Sequence, residues 1–171
     1  MTGAVLDVII AHKPTKVTKY LDSLQIDYKT HKYRYVEKGG TSRSSQVLNI
    51  DEHFVIKTLV FQDKQTAECF IMLQHGDCQV NTTSLANAMQ AKKVFAAAPQ
   101  EAEKWTGYKV GGTSPFCLAN KMKIFAEFSI FEDPNQEIVL NGGHRGFLIA
   151  VKAQNLQALL KPTLVKASNP K

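Results

Sequence analysis

Two runs of β-forming residues, Ile56 to Phe61 and Ala67 to Gln74, stand on either side of the polar stretch Asp63-Lys64-Gln65-Thr66. A connection this short cannot house the crossover that a parallel pair needs, so the runs predict an antiparallel hairpin. Any fold open to this chain must contain the sheet that hairpin enters. Around it, helical and strand patterns mix without a regular βα alternation. Thr15 to Leu24 places Val17, Tyr20, Leu21 and Leu24 on one helical face. Ile26 to Val36 interleaves β-formers with Lys29, Lys32 and Arg34, which predicts a strand whose exposed side is either a solvated edge or an RNA-contacting face.

The remaining elements follow in order. Ser42 to Leu48 is a short helix, and Asp51 caps one more turn through Val55. Thr83 to Met89 is a helix with Leu85, Ala88 and Met89 inward; Lys93 to Ala97 is a short strand; Pro99 to Trp105 is a helix stopped by Gly107. Tyr108 to Val110 reads as a three-residue strand and Lys121 to Phe131 as a long one, closed by the turn Asp133-Pro134-Asn135. Glu137 to Leu140 and Phe147 to Val151 flank a second glycine loop. Ala153 to Leu160 is a helix with Leu156, Leu159 and Leu160 inward, ended by Pro162, and Thr163 to Val165 adds an edge strand. The tail Ala167 to Lys171 is expected to fray. With 171 residues, 44% of them hydrophobic, the chain suits one domain (core about residues 13–165). The expected class is α+β, with a mixed, mostly antiparallel sheet or partial barrel flanked by helices.

Cys69, Cys78 and Cys117 are odd in number and widely spaced, which indicates no disulfide framework and a reduced, cytoplasmic setting. The apolar start is interrupted by Asp7 and lacks a basic lead, and no run approaches a membrane span. The five histidines (His12, His31, His53, His75, His144) show no metal-ligand spacing, and His75-x-x-Cys78 has no second pair, so neither metal nor cofactor is expected. Nucleophile elbows, Walker loops and dinucleotide fingerprints are missing too. The 21 Lys+Arg against 15 Asp+Glu give +6, which fits a polyanionic partner without demanding one.

Chemistry concentrates in three places. In Gly107-Tyr108-Lys109-Val110-Gly111-Gly112-Thr113-Ser114-Pro115, two side chains are missing where bare backbone can approach a ligand, and Thr113 and Ser114 add hydroxyls before Pro115 stiffens the exit. That is either a tight turn or a cradle for a carbonyl or phosphate oxygen. Lys57 sits in an apolar run, so its ammonium must snorkel to water or meet an anion. Asn141-Gly142-Gly143-His144-Arg145-Gly146 brings a second patch of bare backbone and an arginine. A lone cation and two glycine loops, without a covalent nucleophile, suit orientation and oxyanion stabilisation on an activated ester, or simple anion binding.

Three blocks in this order, Val-Ile-Lys-Thr-Leu (Val55 to Leu59), Glu-Ala-Glu-Lys-Trp-Thr-Gly-Tyr-Lys-Val-Gly-Gly-Thr-Ser-Pro (Glu101 to Pro115) and Gly-His-Arg-Gly (Gly143 to Gly146), resemble the YbaK-type aminoacyl-tRNA deacylases. These are free-standing relatives of the editing domain inserted in bacterial prolyl-tRNA synthetases. The resemblance covers roughly Lys13 to Val165. It implies an enzyme that hydrolyses the ester of a mischarged tRNA, typically cysteine or alanine on tRNA(Pro), with prolyl-tRNA synthetase as a further candidate partner. It places the family's lysine on Lys57, followed by Thr58, with Gly111 and Gly112 in the catalytic loop. Thr113, Ser114 and Pro115 fall on the aminoacyl pocket, and Gly143, His144, Arg145 and Gly146 on the second loop. The chain departs from the family pattern at His144 (usually lysine), Thr113 (commonly isoleucine) and Glu127 (frequently aspartate), which bears on amino-acid preference. Lys29, Lys32, Arg34, Lys121, Lys123 and Arg145 are expected to hold the acceptor stem through phosphates. The rival expectation is a non-catalytic module that uses the same cleft to bind tRNA or a protein, or else a binder of small anions.

Overall fold

The structure, a computed structural model, describes residues 13–171; His12 and the apolar start lie outside them. The first helix, α1 (Lys16–Ser23), begins where Thr15 Oγ1 accepts from the Thr18 N–H at 3.2 Å and Thr18 Oγ1 accepts from the Thr15 N–H at 2.9 Å. Its buried stripe is Val17, Thr18 and Leu21; Tyr20 and Leu24 are more than a third exposed, so the apolar face is narrower than its sequence spacing predicts.

The hairpin forms as expected from β2 (Ile56–Asp63) and β3 (Cys69–His75), in antiparallel register with Lys57 opposite Gln74. It sits at the centre of a five-stranded sheet. On one side β2 pairs with β5 (Val94–Ala96); on the other β3 runs parallel to β6 (Ile124–Glu127), which runs parallel to β9 (Thr163–Val165). A second sheet has β8 (Phe147–Lys152) between β1 (Lys29–Lys32) and β7 (Glu137–His144), all antiparallel. The two sheets touch at one isolated parallel bridge, Val55 to Val139. The result is a single-domain α+β arrangement of mixed, mostly antiparallel sheets that do not close into a barrel.

Between the sheets lies the main core, with Ile56, Leu73, Ile138, Leu140, Ile149 and Leu156 all within 3% of full burial. A second apolar cluster (Phe61, Phe70, Met72, Leu85) fills the other face of the larger sheet under α3 (Thr82–Met89). The helices α2 (Gly40–Leu48), α4 (Pro99–Thr106) and α5 (Ala153–Leu160) appear where the sequence predicts them.

Five expectations give way. Tyr108 to Val110 is an irregular turn, because Tyr108 is buried and its hydroxyl, donating to the Phe116 carbonyl, folds the segment back on itself. The Lys121 to Phe131 strand shrinks to β6, after which Phe128–Phe131 coils into a 3-10 turn that seats Ile130 in the core. Only Lys29–Lys32 of the Ile26 to Val36 run is paired, since β8 is its partner over four residues alone. Ala86 takes the buried place in α3 that Ala88 was expected to share. The tail does not fray: Ser168–Pro170 forms β10 against β4 (Cys78–Val80), and the buried Ala167 donates its N–H to the buried Glu127 carboxylate at 2.7 Å.

Candidate active site between two glycine loops

The first loop begins where α4 stops. Gly107 takes a φ of +77° and donates its N–H to the Glu103 carbonyl, which frees the chain to reverse. Gly112 N–H closes a turn onto the Lys109 carbonyl at 2.8 Å. Gly111 has φ +87°, and a Cβ there would stand 2.5 Å from the Tyr35 hydroxyl oxygen, so glycine is favoured on two counts. Ser114 is fully buried with its Oγ accepting from the Phe116 N–H, and Pro115 is buried beside it. These two shape the loop from behind, while Gly111 is exposed and Thr113 half-buried.

The second loop is the tip of the β7–β8 hairpin, where the register shifts between Asn141 and His144. Asn141 is its organiser. Its Oδ1 accepts from Gly143 N–H (2.7 Å) and His144 N–H (3.1 Å), and its Nδ2 donates to the carbonyls of His144 (3.1 Å) and, in the other loop, Gly111 (3.3 Å). Arg145 adds a second tie, with Nε donating to the Val110 carbonyl at 2.8 Å and its guanidinium 5.0 Å above the Tyr35 ring. Gly146, at φ +74°, accepts from the Tyr33 N–H, and His144 stays exposed with Nδ1 near the Arg145 carbonyl.

A cavity of about 460 Å3 opens beside the joined loops, between Gly112, Gly143 and the start of α1. Lys13, Lys16, Lys109 and Arg145 line it, and no carboxylate does among the described residues. Lys16 packs its ammonium 4.0 Å over the Tyr108 ring, and Thr15 Oγ1 donates to the Gly142 carbonyl at 2.7 Å, fastening α1 to the hairpin. The field in this cavity is positive and its walls are tied from three elements.

Lys57 and Thr58 reach different places. Two residues beyond the Val55–Val139 bridge, strand alternation puts Lys57 and Asn141 on the same face of neighbouring strands that have stopped pairing. The Lys57 ammonium, however, donates to the Cys78 carbonyl. Half-burial, then the nearby charge of Lys171, push its pKa below the usual lysine value. Thr58 faces the opposite way, with Ile56 and Val60, and its Oγ1 is buried without a hydrogen-bond partner among the described residues. The structure therefore joins Gly111–Pro115 to Gly143–Gly146, sets Lys57 on the face Asn141 shares, and turns Thr58 into the core. Sequence reasoning assigned no role to Asn141, Tyr35, Lys13 or Lys16. Only the Asn-Gly pair signalled the first of these, as a residue whose amide habitually bonds backbone two positions on.

A family model for the aminoacyl-tRNA editing domain matches residues 39–159. The chain belongs to the aminoacyl-tRNA editing domain family. It is 33% identical over 101 residues to a proline–tRNA ligase of Fusobacterium nucleatum, covering 59% of this chain and 17% of that one. To the proline–tRNA ligase of Nitratidesulfovibrio vulgaris (strain DP4) it is 26% identical over 128 residues, covering 74% and 22%. The chain thus spans less than a quarter of the length of these curated relatives. Among solved structures, it matches the hypothetical protein APE2540 with a TM-score of 0.80 at 18% identity, covering 91% of this chain and 100% of that chain. It matches a protein proposed to be a trans-editing enzyme for prolyl tRNA synthetase with a TM-score of 0.76 at 15% identity, covering 92% and 99%. At such identities these two show the fold. The editing-domain match contains Lys57 and both glycine loops, whereas Lys13, Lys16 and Tyr35 lie before it.

Proposed function

We propose that this protein is a trans-editing aminoacyl-tRNA deacylase that hydrolyses the ester of a mischarged tRNA in the cytoplasm, its substrate a small aminoacyl group such as cysteine or alanine on tRNA(Pro). The observation that carries the reading is the tie Asn141 makes between two glycine loops beside a cavity with four cations. Family membership and the likeness to prolyl-tRNA synthetases support it. The cations would take the backbone phosphates at the tRNA 3′ end, and the exposed backbone at Gly111, with the buried Gly112 behind it, would admit the aminoacyl ester closely. Water adds to the ester carbonyl, the carbonyl–ribose oxygen bond breaks, and the free amino acid leaves while the ribose hydroxyl takes up a proton. Lys57 is the charge available to steady the developing oxyanion, for which its ammonium must exchange the Cys78 carbonyl for the Asn141 side.

A panel of cysteinyl-, alanyl- and prolyl-tRNA(Pro) tests this. Hydrolysis of one of the first two, with prolyl-tRNA spared and a loss of about 100-fold in Lys57→Ala, is the expected result. Wild-type rates in Lys57→Ala would remove Lys57 from catalysis. One observation favours a second reading, an inert binding module: the Lys57 ammonium is already engaged by the Cys78 carbonyl. Tight tRNA binding with no hydrolysis of any of the three substrates would select it.

A further inference from the structure

Beyond Lys57, three side chains of different chemistry converge. His53 Nδ1 lies 2.9 and 3.0 Å from the two carboxylate oxygens of Asp77, and Cys78 Sγ lies 3.5 Å from Asp77 Oδ1. One ligand atom from each falls within 4.8 Å of the others. The geometry points to a binding site for a divalent transition metal of the zinc class, formed by His53, Asp77 and Cys78. Metal bonds of roughly 2.0–2.3 Å to nitrogen, oxygen and sulfur place tetrahedral ligand atoms roughly 3.3–3.7 Å apart; the Asp77–Cys78 pair already stands there, and His53 and Asp77 need to part by a few tenths of an ångström.

The donors are held in place by their surroundings. The His53 N–H donates to Asp51 Oδ1 at 3.0 Å, and its ring stacks on His75 with centroids 3.8 Å apart and planes 8° from parallel. His75 is itself pinned, Nδ1 at 2.7 Å from the His53 carbonyl and Nε2 at 2.8 Å from Ser129 Oγ. The turn bearing Asp77 and Cys78 is pressed against the 3-10 turn Glu52–Phe54 so closely that a Cβ on Gly76 would lie 2.5 Å from the Glu52 carbonyl oxygen. Both elements are therefore set before any ion arrives, and little ordering remains to oppose binding.

The donor set also selects the ion. A thiolate, an imidazole and a carboxylate suit a borderline cation such as zinc and disfavour magnesium or calcium, which take all-oxygen shells. Thiolate and carboxylate balance a dication, so Lys57, bonded to the Cys78 carbonyl, faces a neutral centre. With the His53 and Asp77 side chains 39% and 45% exposed, the ion has an entry path and room for water as a fourth ligand. On binding, the thiol proton goes to solvent, and the Nδ1 proton that now meets the Asp77 carboxylate leaves, so that the imidazole ligates through Nδ1 as its Nε2–H tautomer. Because the donors lie 24 residues apart, no local spacing announces the site.

Titrating the protein with Co2+, then displacing it with Zn2+, tests the site. Expected are one saturable Co2+ per chain, a thiolate-to-cobalt charge-transfer band, and loss of that band on zinc addition. Cys78→Ser abolishes the band, Asp77→Asn and His53→Gln weaken affinity by about 100-fold, and Cys117→Ser changes nothing. Circular dichroism on each variant confirms folding, and the two weaker variants carry the test should Cys78→Ser not fold. The site is overturned if wild type binds no stoichiometric Co2+, if the band survives Cys78→Ser, or if folded His53→Gln and Asp77→Asn bind as tightly as wild type.

Discussion

At Gly111 one added methyl would meet the Tyr35 hydroxyl and force a side chain onto a φ of +87°, yet the clashing atom is the free end of a ring. Tyr35 can swing away at the expense of its stacking with Arg145. Gly111→Ala is therefore expected to reduce stability by only about 1–2 kcal/mol while lowering deacylation kcat/KM by about tenfold, read from urea unfolding and single-turnover hydrolysis. Gly76 is the contrasting case, because its obstacles are the backbone oxygens of Glu52 (2.5 Å) and Val55 (2.6 Å), which cannot rotate away. Gly76→Ala should cost about 3 kcal/mol in the same unfolding assay. Tyr108 supplies a pH dependence. Burial raises its phenol pKa well above the usual value, so the folded state keeps a proton that the unfolded chain releases. The sign is that stability is complete below about pH 10 and declines as pH rises further, the unfolded chain binding fewer protons there. Tyr108→Phe should be less stable at neutral pH by about 1 kcal/mol and show a shallower alkaline decline in melting temperature.

The elements that the sequence made legible are those whose pattern is local: the β2–β3 hairpin from its turn, α4 from Pro99 and Gly107, α5 from its leucines. What it concealed depends on partners distant in sequence. Tyr108 to Val110 has the residues of a strand, but Phe116 claims the Tyr108 hydroxyl and no strand among the described residues pairs with it. The tail becomes β10 only because β4 and the buried Glu127 await it. The same distinction holds in the candidate site, where the glycines were readable as bare backbone while Asn141, named only as the start of its loop, was given no role, its reach to Gly111 spanning 30 residues. That reach gives a prediction about the two loops as a unit. Asn141→Ala should strip hydrogen-exchange protection from the Gly143 and His144 amides and lower deacylation by about 100-fold. Asn141→Asp keeps the acceptor for both amides but loses the donor to the Gly111 and His144 carbonyls, so it should restore protection of the two amides without restoring activity. If Asn141→Asp recovers activity along with protection, the tie to the first loop does not matter.

Over the whole molecule, the charge of +6 is less uniform than the sequence suggests. Lys29 is paired with Glu137 at 3.0 Å and Lys171 with Glu52 at 2.8 Å, whereas the cavity beside the glycine loops collects Lys13, Lys16, Lys109 and Arg145 without a carboxylate among the described residues. Lys121 and Lys123 line a different cavity, of about 590 Å3, in company with Asp63 and Glu68. At physiological salt, charges act over about 8 Å, so tRNA attraction should follow the local cluster and not the total. Each phosphate contact to a single strand contributes about −0.7 to the slope of log affinity against log salt, so four cations on the tRNA 3′ end predict a slope near −3. Lys13→Ala with Lys109→Ala should flatten it by about 1.4, because each removes one phosphate contact. Lys121→Ala with Lys123→Ala alters the total charge equally but should leave the slope unchanged. Equal flattening by both pairs would mean that tRNA senses a diffuse field, and the cationic cavity would lose its claim to the 3′ end.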